Sequence, residues 1–125
     1  MITYDFVVTR EGDQWLGECV QEPAAHTWAK TLAALQREAI DAVILAADLP
    51  DDASPVIHLV PGHGLSESMH EAIELGNWRA RIRQEEADLR ERTIHAVRSL
   101  SEEGYSVRDI AGAVGLTPGR ITQIA

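Results

Sequence analysis

The last nineteen residues, Val107 to Ala125, restrict the fold of this chain more than any other stretch. Pro118 has a fixed φ and no backbone donor, so it is accommodated at the first position of a helix and hardly anywhere deeper in one. Thr117 before it has the side chain of an N-cap. Ser106-Val107-Arg108-Asp109 has the form of a capping box and starts an earlier helix. Two short helices must therefore meet in a turn at Gly115, which can take a positive φ. Ala111 is small where the two helices would touch. Ile110, Val114, Leu116, Ile121 and Ile124 are predicted to face the core between them. Ile94, Val97 and Leu100 give a preceding helix an apolar face to complete a three-helix core. The pattern predicts a helix-turn-helix domain over 94–125, against the alternative of a helical hairpin with no ligand.

A helix-turn-helix reads double-stranded DNA by placing the N-terminal residues of its second helix on base edges in the major groove. The candidates here are Thr117, Gly119, Arg120, Thr122 and Gln123. Gln123 is suited to adenine, and Arg120 to guanine or phosphate. Arg108, close to a helix start, is suited to phosphate. Charge bears on this reading. The 125 residues carry a net charge of −9. Residues 1–65 contribute −7, residues 66–125 contribute −2, and the final twenty residues stand at +1. So thin a positive field predicts weak DNA binding by a monomer, which two copies on two half-sites would strengthen. A homodimer or higher oligomer is expected. The acidic first half suits a basic protein partner rather than nucleic acid.

That first half has the period of strands. Tyr4, Phe6 and Val8 alternate with Asp5 and Thr9, Glu11-Gly12-Asp13 is a turn, and a second strand runs from Gln14 to Val20. A short third strand is predicted at 26–28. Thr31 is a candidate N-cap for a helix over 32–47, ended by Leu49-Pro50-Asp51-Asp52, and Pro55 to Val60 reads as the last strand. The expected fold class is α+β: a small antiparallel sheet with one packed helix in residues 1–62, an all-α helix-turn-helix domain in 94–125, and spacer helices over 66–93. A helix is expected to start at the capping-box spacing Ser68 to Glu71, to break at Gly76-Asn77 and to resume from Trp78 to Glu103, with Gly104 as its C′ residue. Glu86–Arg90 and Asp88–Arg92 are predicted i,i+4 pairs. This spacer is read as solvated, or as packing across a dimer through Trp78, Ile82 and Leu89.

With both halves read, the chain resembles the HicB antitoxins of HicA–HicB toxin–antitoxin systems. YDFVVTREGDQWLGECVQEP looks like the opening hairpin of that family, and residues 26–35 look like its entry into the helix. The resemblance implies a partial RNase H-like fold in the N-terminal domain. It also implies neutralisation of a small basic RNA-cleaving toxin of the HicA kind, and repression of the chain's own operon through the C-terminal domain. The alternative is a stand-alone transcription regulator whose N-terminal domain dimerises or senses a ligand.

A nuclease is the third possibility, because RNase H-like enzymes hold metal ions between carboxylates. Asp5 and Glu38 lie on suitable elements, but Val56 to Val60 offers no carboxylate. No catalytic residue, cofactor or metal site is expected. His58, His63 and His70 lack a fixed further ligand and read as structural or surface histidines. Trp15, Trp28 and Trp78 are predicted core or interface anchors. Cys19 is the single cysteine, predicted buried, and fits a reducing cytoplasm. The chain has no 18-residue apolar run and no signal-peptide pattern, so neither a membrane partner nor export is expected.

Overall fold

The computed structural model describes residues 2–125. Two compact units are present, Met1–Trp78 and Arg79–Ala125, and the division falls inside one long helix.

In the first unit, β1 (Thr3–Glu11) and β2 (Gln14–Cys19) form an antiparallel hairpin, and β3 (His26–Ala29) pairs antiparallel with β2. Helix α1 (Leu32–Ala46) follows, and β4 (Val56–Pro61) lies beside β1. The sheet order is β3-β2-β1-β4. The sheet is mixed and not antiparallel as expected, because β4 runs parallel to β1 with Phe6 opposite Leu59. The reason is the route of the chain. β3 and β4 lie at opposite edges, and α1 carries the chain between them as a crossover, which returns the strand in the same direction.

One face of the sheet is buried. Tyr4, Phe6 and Val8 of β1, Trp15 and Cys19 of β2, Ala29 of β3 and Leu59 of β4 form one core with Leu35, Ala39 and Val43 of α1. The α1 residues recur every four positions, so they make one stripe. Gly17 lets the helix come close: a Cβ there would stand 3.3 Å from Phe6 Cδ2 and 3.4 Å from Leu35 Cδ2. Thr31 caps α1 as expected, its hydroxyl accepting from the Ala34 N–H at 3.1 Å. The helix ends earlier than Pro50. Asp48 takes φ 52°, and Leu49 N–H returns to the Ile44 carbonyl at 2.9 Å.

Helix α2 (Glu67–Glu102) is a single helix of 36 residues. Its cap is Ser66, whose hydroxyl accepts from the Met69 N–H at 3.2 Å, and not the predicted Ser68. It passes without a break through Gly76 and Asn77. The Asn77 side chain is turned to the sheet: its amide nitrogen donates to the Leu59 carbonyl at 2.8 Å, and its amide oxygen accepts from the Leu59 N–H at 3.2 Å. These bonds and the burial of Ile73 in the first core tie the start of α2 to the sheet. The predicted pairs Glu86–Arg90 and Asp88–Arg92 do not close to ion-pair distance. Asp88 accepts instead from Gln84 Nε2 at 3.1 Å. The helix ends at Gly104 (φ 90°) as its composition implies, with Tyr105 N–H bonded to the Leu100 carbonyl.

The second unit contains the end of α2, then α3 (Val107–Val114) and α4 (Pro118–Ile124). Val97, Ile110, Ala111 and Ile121 form its buried core, with Leu100, Val114 and Ile124 packed against them. Among the described residues, no helix is long and apolar enough to cross a membrane.

Candidate functional site

The residues that orient α4 act locally. Ser106 Oγ accepts from the Asp109 N–H at 3.1 Å and starts α3. Gly115 ends it at φ 77°, where its N–H and that of Leu116 both bond the Ala111 carbonyl. A side chain there would meet the steric cost of the left-handed region. Thr117 then caps α4, its hydroxyl accepting from the Arg120 N–H at 3.2 Å, with Pro118 in the first turn. Ile121 is fully buried and pins α4 to the core.

With Ile121 inward, the polar residues of α4 face solvent. Thr117, Gly119, Arg120, Thr122 and Gln123 are all exposed, as is Arg108 at the start of α3. Several of them have partners within the chain. Arg120 Nη1 donates to Gln123 Oε1 at 2.9 Å, so the two side chains predicted for base edges lie side by side. Thr122 Oγ1 donates to the Pro118 carbonyl at 3.2 Å. Of the predicted core, Ile110, Ala111 and Ile121 are buried and Val114 and Ile124 partly so. Gly115 occupies the turn. Leu116 departs from expectation at 38% exposure. The bond of its N–H to Ala111 holds it just past the turn, where it lines a groove instead of filling the core. That groove, of about 300 Å³, lies between α2 and α4 and includes Leu89, Ile94 and Ile124, with Glu86, Arg90 and Arg120 at its margin.

The first unit holds a second polar cluster that the sequence did not reveal. His58 Nδ1 lies 3.0 Å from Asp5 Oδ1, a close contact too poorly aligned to be a hydrogen bond. Gln21 Nε2 donates to Asp5 Oδ2 at 2.7 Å, and Gln21 Oε1 accepts from the Asp5 N–H at 2.8 Å. Asp5 and His58 are opposite each other only because β4 is parallel to β1. Glu38 accepts instead from Thr27 Oγ1 at 3.0 Å. Asp5 alternates with the buried residues of β1, so it points away from the face that α1 covers. Asp5 and Glu38 are therefore on opposite sides of the sheet and do not form a joint carboxylate site. Among the described residues, no three His, Cys, Asp or Glu side chains group as metal ligands. Cys19 is buried in the core, and so is Trp15, under the Arg10 guanidinium at 5.0 Å from the ring centre. Trp28 and Trp78 are more than half exposed.

Compared with known proteins, the chain matches no family model, and no curated protein or solved structure is significantly similar to it.

Proposed function

We propose that this chain is a HicB-like antitoxin of a type II toxin–antitoxin pair. Its first unit, read as partial RNase H-like, holds a small basic RNA-cleaving toxin, and its second unit is a helix-turn-helix that binds an operator as a dimer. The observation that carries the DNA-binding part is the exposure of Thr117, Gly119, Arg120, Thr122 and Gln123 on a helix that Thr117 caps and Ile121 anchors. Such a helix presents a polar face on a rigid support, the arrangement that base readout needs. The −7 charge of residues 1–65 supports a basic protein as the partner of the first unit. Exposed Trp28, on the face of the sheet away from α1, supplies apolar area for docking in the same unit. The chain binds and blocks; no step of catalysis is assigned to it.

DNA binding is tested by titrating a fluorescent duplex, taken from immediately upstream of the chain's reading frame, at several salt concentrations. Arg120→Ala is expected to weaken binding by about tenfold and to lower the salt slope by about one. Unchanged affinity would remove Arg120 from the interface. A wild-type chain that ignores the duplex even at low salt would remove the DNA reading. The toxin half is tested by co-expression with the neighbouring small reading frame. A basic, growth-arresting protein should co-purify and lose its toxicity. If toxicity persists and nothing co-purifies, the chain is a regulator of another kind.

A further inference from the structure

We propose that the groove between α2 and α4 seats Leu89 of a second copy of this chain, so that two second units pair about a two-fold axis passing near Leu89. Leu89 is 68% exposed and projects beside a groove walled by Ile94, Leu116 and Ile124. Knob and socket thus belong to one patch, which is what a self-complementary interface requires. The charges of α2 favour the same axis. Counting outward from Leu89, Asp88 mirrors Arg90 and Glu86 mirrors Arg92. An antiparallel pairing of the two helices therefore brings acids and arginines of the two copies to matching heights along the helix. One heptad out, Ile82 mirrors Ala96, so the outer contacts are apolar. Neither Glu86–Arg90 nor Asp88–Arg92 closes as an ion pair within the helix, where Asp88 accepts only from the neutral Gln84 amide. A second copy also accounts for Leu116, an apolar residue of the turn that its own chain leaves exposed.

This interface rests on the proposed function only for its purpose, which is to bring two α4 helices to two half-sites. Its existence is tested without DNA, by sedimentation of the full chain. The wild type should be a dimer. Leu89→Asp should be monomeric with an unchanged circular dichroism spectrum, since Leu89 lies outside the core. Glu86→Arg should also lose the dimer, and Glu86→Arg combined with Arg92→Glu should regain it. Oxidised Leu89→Cys in a Cys19→Ala background should form a symmetric disulfide. A monomeric wild type overturns the proposal, as does a dimer that persists in Leu89→Asp or Glu86→Arg. So does a groove filled by a co-purifying peptide or small molecule in a monomeric chain. Binding of the upstream duplex is then measured on the same samples. A charge-rescued dimer that binds no duplex supports the interface and defeats the DNA reading. A Leu89→Asp monomer that binds as tightly as wild type supports the interface and removes only the need for pairing.

Discussion

Asn77 and Asp48 show how single side chains settle questions that patterning leaves open. Asn77 follows a glycine in a long polar helix, which reads locally as a break. Its amide instead bonds both backbone groups of Leu59, eighteen positions away, and the helix runs straight through. Asn77→Ala leaves a partly buried N–H and C=O without these partners, and is expected to destabilise the first unit by about 1–2 kcal/mol in urea unfolding. Asp48 has the opposite sign. It is the one non-glycine residue at positive φ among those described. Asp48→Gly removes the steric cost of that conformation and should raise the urea midpoint, with a gain of about 1 kcal/mol. No change would mean that the carboxylate offsets the strain. The Asp5–His58 contact was equally hidden, since it depends on a pairing between residues fifty-three positions apart.

At the scale of elements, what the sequence reveals follows the range of the forces involved. Thr31, Ser106 and Thr117 each cap a helix through a bond to the third residue on, so a short window holds all the information. The stripe Leu35, Ala39 and Val43 and the turn at Gly115 are legible for the same reason. The direction of β4 is not, because the crossover through α1 decides it and the strand itself would be identical either way round. The departure of Leu116 has the same origin: an apolar residue in a turn can face inward or line a groove, and only the packed helices decide which. The core of the second unit is compact enough for one residue to matter. Ile121 is fully buried and is the main inward anchor of α4. Ile121→Ala is expected to cost about 3 kcal/mol, and the amides of α4 should lose protection from hydrogen exchange before those of β1. Equal loss in both would contradict the separation of the two cores.

For the whole molecule, the two cores share no residue, and the charge is uneven, −7 over residues 1–65 against −2 over residues 66–125. One small structural feature bears on how the molecule behaves in company. A sheet ends in strands whose outward N–H and C=O groups invite another strand, and such edges are where folded proteins begin to aggregate. On the β4 side the middle of the strand is already occupied, since the Asn77 amide satisfies Leu59 as a neighbouring strand would. The remaining edge, β3, is only four residues long, and Lys30 follows it directly. A misfolded or foreign strand seeking to extend this sheet thus finds one side plugged and the other short and charged. The amide that holds a helix to the sheet thus also occupies part of an edge of the kind from which fibrils grow.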